Sequence, residues 1–162
     1  MGTPDNDFDF KLNIVRQKFG SKDCQICCVA MLTGLSVEKL IDRYGTDKTL
    51  SGQNYWSVKR ADTALVDQNW GGLMLNWSDP ERFSKLDNWE IDLWSYPAMV
   101  GVKSTSLRYR NGNRANHAVV YCPNRRLILD PQCAQPQLFS KYEFISWQPL
   151  VKYLPGNEGE SL

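Results

Sequence analysis

Asp23-Cys24-Gln25-Ile26-Cys27-Cys28-Val29-Ala30-Met31-Leu32-Thr33-Gly34 is mostly small and apolar and is punctuated at both ends. Asp23 suits an N-cap and Gly34 suits the position just past a helix end, where a left-handed backbone is wanted. The stretch therefore reads as a buried helix, with Cys24 as its first residue. A helix that is apolar on every side has to be enclosed by the rest of the chain.

The flanking segments supply the enclosure. Downstream, Ser36 caps a second helix over 37–44, stopped by Gly45, so the two helices are expected to form a hairpin with a very short joint. Residues 54–69 place Trp56, Val58, Ala61, Ala64 and Leu65 at helical spacing, closed by Gly71-Gly72. Residues 73–77 alternate like a strand, and Asp79-Pro80-Glu81 is a helix-start signature. Upstream, Leu12 to Arg16 suits a short strand, and Gly20-Ser21-Lys22-Asp23 a turn. From Tyr96 the character changes. Residues 97–103, 117–122, 127–130, 142–147 and 150–154 read as strands, 104–116 as a polar hairpin connection, and Pro123-Asn124 as a tight turn. Helices first and antiparallel strands second argue an α+β fold, with the N-terminal helical part packed on a C-terminal sheet. The 162 residues make one domain, 1–162, with 1–10 and 155–162 as loose tails.

Composition narrows the function classes. The net charge is +1 and the basic residues are interleaved with acids, so no nucleic-acid partner is expected. No run approaches the ~18 apolar residues of a membrane helix, and the polar, acidic start is not a secretory signal. A cytoplasmic protein without a membrane partner is the expectation. The five cysteines are odd in number and fall in two groups, unlike a disulfide framework. In a reducing compartment they are free thiols, metal ligands or a nucleophile.

Cysteine catalysis needs a thiolate, and a helix N-terminus favours an anion through its free N–H groups and partial positive charge. Cys24 holds that position, whereas Cys27 and Cys28 lie about one turn deeper. The base can only be His117, the single histidine, at the head of the run His-Ala-Val-Val-Tyr-Cys. Asp130 ends the next strand, just before Pro131. A short turn joins the two strands, so hairpin pairing sets the start of one beside the end of the other. His117 and Asp130 become neighbours, and the aspartate can fix the imidazole tautomer. Gln17, a few residues before Cys24, offers a side-chain amide that with the Cys24 N–H can hold an oxyanion.

Gln17, then residues 23–34, then His117-Ala118-Val119-Val120, then Asp130-Pro131 resembles the peptidase domain of bacteriocin-processing ABC transporters, papain-like enzymes with standalone bacterial and phage relatives. The family pattern is Gln, a short gap, Asp-Cys-Gly, a small-residue helix with Ala-Met, then His-any-Val-Val and a downstream Asp-Pro. The resemblance spans nearly the whole chain in order. It implies a papain-like fold, with Cys24 as nucleophile, His117 as base, Asp130 as its orienting partner and Gln17 at the oxyanion, acting on a protein or peptide substrate without a cofactor. The chain departs from the pattern in three places. Gln25 stands where the family has Gly, the Gln-to-Cys gap is one residue longer, and the His-to-Asp gap is shorter. No transporter membrane domain is read here, so coupling to export is not expected.

Blander roles compete for the same residues. Cys24-x-x-Cys27-Cys28 hints at zinc, but three thiols on one buried helix suit a tetrahedral site poorly, and no metal is expected. Cys27 and Cys28 read as small core hydrophobes, and Cys122 and Cys133 as bystanders. The Trp-rich middle reads as core. Gln25 and Trp147 are the candidates for touching substrate, Trp147 as a cleft wall by the papain-like resemblance. Arg108, Arg110 and Arg114 form a basic loop that is solvated or meets an acidic substrate segment. The leading expectation is hydrolysis of a peptide or isopeptide bond. The alternatives are acyl transfer or deamidation by the same triad, or a catalytically silent fold used as a binding module.

Overall fold

The computed structural model describes residues 12–18, 20–72 and 93–153. The helix α1 runs Cys24–Thr33 and closes on Gly34, whose φ of 73° is the left-handed conformation that glycine adopts without penalty. Seven of its residues, Ile26 to Leu32, are buried. Next comes α2 at Val37–Tyr44, capped by Ser36, whose hydroxyl accepts from the Lys39 N–H. The joint between these helices bends by 104°, so they cross nearly at right angles instead of folding back as a hairpin. No single helix among the described residues is long and apolar enough to cross a membrane.

The third helix, α3, spans Val58–Asp67 and begins later than its apolar spacing suggests. Ser57 caps it by accepting from the Arg60 N–H. The preceding Asn54–Tyr55 forms a short strand, β2, paired with β1 at Asp47–Lys48. Trp56 is buried, and its indole N–H donates to the Gly45 carbonyl at 2.8 Å. It belongs to the join between ribbon and helix. Gly71 and Gly72 do not merely stop the helix. They lie in strand β3, Trp70–Gly72. The expected strand at 73–77 and helix start at 79–81 lie outside the described residues.

The main sheet is antiparallel, in the order β3-β7-β4-β5-β6. Its members after β3 are β4 at Ala98–Arg108, β5 at Arg114–Cys122, β6 at Leu127–Leu129 and β7 at Phe144–Lys152. The polar stretch 104–116 is thus mostly strand. The first hairpin continues past a break in register between Lys103 and Arg108 and turns over Tyr109 to Asn113. His117 consequently sits inside β5, opposite Val102, and not at its start. The two late strands are one. Pro149 does not interrupt β7, because its neighbour Leu150 donates toward β4, to the Pro97 carbonyl, and the missing proline donor faces the other way. Residues 12–18 join no ladder. They are tied beside the exit of β6 by Gln17 N–H to Pro131 O at 2.9 Å and by Arg125 to Leu12 O.

Both faces of the sheet are covered. In β5, Ala118, Val120 and Cys122 enter the core under the three helices, while Val119 and Tyr121 enter a second core on the opposite face. Burial on both sides is why this strand reads as a nearly unbroken apolar run. Trp147, 1% exposed, centres the second core with Tyr121, Trp94, Phe139 and Phe144, at ring-centroid distances of 4.9 to 5.8 Å. It is a packing residue, and the expectation that it walls a cleft is overturned. The described residues make a mixed α+β structure of three helices with a five-stranded antiparallel sheet.

Candidate active site

The tip of α1 carries unused donors. The first N–H groups of any helix lack intrahelical acceptors, and here the first helical bond is Cys27 N–H to Asp23 O. Asp23 occupies the N-cap position, but its side chain caps nothing. Its carboxylate instead accepts a short hydrogen bond from the Ser21 hydroxyl. The helix end is thereby left open at the half-buried Cys24.

His117 and Asp130 meet beyond the end of a ladder. Leu129 lies opposite Val120, so the next residue, Asp130, emerges level with Val119, two positions from His117. His117 Nε2 lies 2.7 Å from Asp130 Oδ1, both residues being almost fully buried. The carboxylate is saturated by further donors: the Gln132 N–H to Oδ1 at 2.8 Å and the Tyr142 hydroxyl to Oδ2 at 2.7 Å. With Nε2 held by Asp130, Nδ1 is the ring nitrogen left for Cys24, whose side chain lines the same cleft.

The electrostatics follow from this packing. Burial alone would make His117 harder to protonate, but the hydrogen bonds to Asp130 and Cys24 and their charges outweigh it and raise its pKa to about 9. Burial likewise works against ionised Asp130. The His117 hydrogen bond and charge, the Gln132 N–H and the Tyr142 hydroxyl prevail and hold its pKa below the ordinary carboxylate value. At neutral pH the pair is an imidazolium–carboxylate. Cys27 and Cys28 are different: burial and the nearby negative charge push Cys27 up to about 12, and Cys28 is raised well above the usual thiol value. Of the thiols on α1, only Cys24 reaches the cleft beside His117.

Gln17 reaches the same cleft. Its backbone N–H is fixed on Pro131 O, and its Nε2 donates to the Ser21 carbonyl at 3.1 Å. Only the nitrogen can face a carbonyl, so the amide is oriented; Nε2 also makes a long contact of 3.4 Å to the Ser21 hydroxyl oxygen, and the buried Oε1 has no partner among the described residues. The cleft has a volume of about 310 Å³, and Gln17, Cys24, Gln25 and His117 line it with Tyr55 and Trp56 on one side and the β4–β5 hairpin on the other.

Set against protein-family models, curated proteins and solved structures, the chain finds no match.

The structure thus gathers Cys24, His117, Asp130, Gln17 and Gln25 around one cleft and its supporting shell, and sets Trp147 apart in the second core. Two contributors escape a reading of sequence. Tyr142 orients Asp130 from the loop before β7, and Cys133 is tied to Asp130 by its backbone N–H, which donates to the Asp130 carbonyl at 2.9 Å. Neither has a local motif, since each is placed by the loop that follows Asp130. Among the basic-loop arginines, Arg114 pairs with Glu143 and Arg108 donates to the Gly112 carbonyl, so both are spent within the protein.

Proposed function

We propose that this chain is a papain-like thiol hydrolase, resembling the bacteriocin-processing peptidase domains, that cleaves a peptide or isopeptide bond. The observation that carries the reading is the buried His117–Asp130 pair at 2.7 Å, sharing one cleft with a cysteine at an uncapped helix tip. A thiolate and an imidazolium are the reactants such a pairing favours.

In the reaction, the Cys24 proton already rests on His117 Nδ1, and the thiolate sulfur attacks the substrate carbonyl carbon. The carbonyl π electrons move to oxygen, which the Cys24 backbone N–H holds together with Gln17 Nε2, the latter giving up its long contact to the Ser21 hydroxyl. The intermediate collapses, the C–N bond breaks, and the departing amine carries away the proton from His117. Water then attacks the thioester as His117 takes its proton. The C–S bond breaks, the acid leaves, and the proton stays on His117 beside the regenerated thiolate. Asp130 keeps Nε2 protonated throughout and does not itself titrate.

The test is a peptidyl acyloxymethyl ketone mixed with the intact chain at neutral pH. A stoichiometric adduct on Cys24, absent from Cys24→Ala, is expected. Cys24 alkylating no faster than the buried Cys28 would sink the reading and leave a silent binding fold. Peptide products separate the chemistries. Hydrolysis yields two shorter chains, deamidation an unshortened acid, and acyl transfer an amine adduct.

A further inference from the structure

A second cavity opens on the far side of Gln25. Its volume is about 290 Å³, and it lies between α3 and strands β4, β5 and β7. Gln25 lines both cavities, so one side chain, next in sequence to Cys24, separates them. Among the described residues that side chain has no hydrogen-bond partner. The chain is therefore not using its amide to hold the fold.

Asp62 supplies the cavity's charge. It is half-buried on α3 and lines the cavity with Gln148, and no cation among the described residues pairs with it. Burial raises its pKa, as expected of a carboxylate that has lost water without gaining a counter-ion. Beside it stand the polar Ser146 and Gln148 and the apolar Met99, Val58 and Ala118. Methylenes backed by one carboxylate and two amides match a long side chain with a cationic head. The volume falls at the bottom of the roughly 300–1,000 Å³ span of whole-ligand sites, which favours one side chain over an entire small molecule.

We propose that this cavity is the specificity pocket of the Cys24 cleft and receives a lysine or arginine side chain of the peptide substrate, with Asp62 as counter-charge and Gln25 and Gln148 as hydrogen-bonding walls. The assignment deepens the hydrolase reading and rests on it for the word substrate, but the pocket's charge preference can be measured without catalysis.

Two experiments separate the claims. In the first, the ¹⁵N-labelled Cys24→Ala chain is titrated with n-butylguanidinium and, separately, with neutral n-butylurea. The side-chain amide resonances of Gln25 and Gln148 are expected to shift with the cation and little with the urea, and Asp62→Asn should weaken the response roughly tenfold. Equal responses to the two probes, or an unchanged response in Asp62→Asn, would overturn the proposal. So would a loss of stability in that variant with the probe response intact, which would make Asp62 merely a link from α3 to β7. In the second, the wild-type chain meets acyloxymethyl ketones carrying arginine, or its neutral isostere citrulline, at each of three positions before the reactive group. Arginine at one position should label Cys24 about tenfold faster, and Asp62→Asn should abolish that preference. Labelling without preference refutes the pocket alone. No labelling of Cys24 refutes the hydrolase, and the first experiment then decides the pocket.

Discussion

His117 is the chain's single histidine, so its titration can be followed as one imidazole signal in an NMR spectrum. The midpoint is expected near 9. Asp130→Asn should lower it most, because the aspartate makes the stronger of the two supporting hydrogen bonds, and Cys24→Ser should lower it less. An unchanged midpoint in Asp130→Asn would show that the carboxylate does not hold the ring. The same shifts govern stability. His117 has a raised folded-state pKa, so its contribution is complete below its ordinary 6.5 and disappears as pH climbs through about 9. Asp130 has a lowered one, so its contribution is complete above its ordinary 3.8 and disappears as pH falls through the lowered folded value. The pair therefore stabilises most between 3.8 and 6.5. Urea midpoints of the wild type against a His117→Gln/Asp130→Asn double variant should diverge there and converge at either extreme, by on the order of 1–3 kcal/mol. At this scale Cys24, His117 and Asp130 are legible as candidates because each is rare or punctuated in the chain: a cysteine after an N-cap position, a lone histidine, an Asp-Pro. Tyr142 is not, because a tyrosine carries no signal until the fold brings its hydroxyl to a carboxylate.

Among the elements, α1 and α2 are legible to the residue, and the start of α3 and the long β4–β5 hairpin are not. Ser36 and Gly45 bracket α2 as expected, and Asp23 and Gly34 bracket α1, because side-chain and left-handed caps are local physics. β2 was absorbed into a helix because Asn54-Tyr55-Trp56 continues the apolar spacing, and only the Ser57 cap marks the true start. The length of β4 and β5 was hidden by polar residues in an exposed hairpin, whose pairing is backbone chemistry that the residue types do not announce. The cap at α2 and the non-cap at α1 make a contrasting pair. Ser36→Ala removes an acceptor for the Lys39 N–H and should cost about 1 kcal/mol. Asp23→Ala removes no capping bond and should cost less, judged by thermal unfolding of the two variants side by side. An equal or larger loss for Asp23→Ala would mean that α1 depends on that side chain after all.

Across the whole molecule the two cores are not independent of the cleft. The Tyr142 ring packs against the aromatic core, 6.5 Å from the Phe144 ring, while its hydroxyl reaches Asp130 from that side of the sheet. The helical core holds α1 and hence Cys24. Asp130 is thus braced by the aromatic core and Cys24 by the helical one, and the site exists where the two come together. Substitutions in the aromatic core should separate stability from chemistry. Trp147→Ala empties the centre of that core and is expected to cost roughly 3–5 kcal/mol. Under conditions where the variant is still folded, its labelling at Cys24 should keep the wild-type pH dependence, since the ring contacts of Trp147 are to Trp94, Tyr121, Phe139 and Phe144. Tyr142→Phe keeps the ring and should cost little stability, yet it removes a donor that holds the Asp130 pKa down. The carboxylate then protonates at higher pH, and the acid limb of the Cys24 labelling profile should move upward. A profile that stays put in Tyr142→Phe while moving in Trp147→Ala would reverse the assignment, and the brace on Asp130 would have to be sought in the packing and not in the hydroxyl.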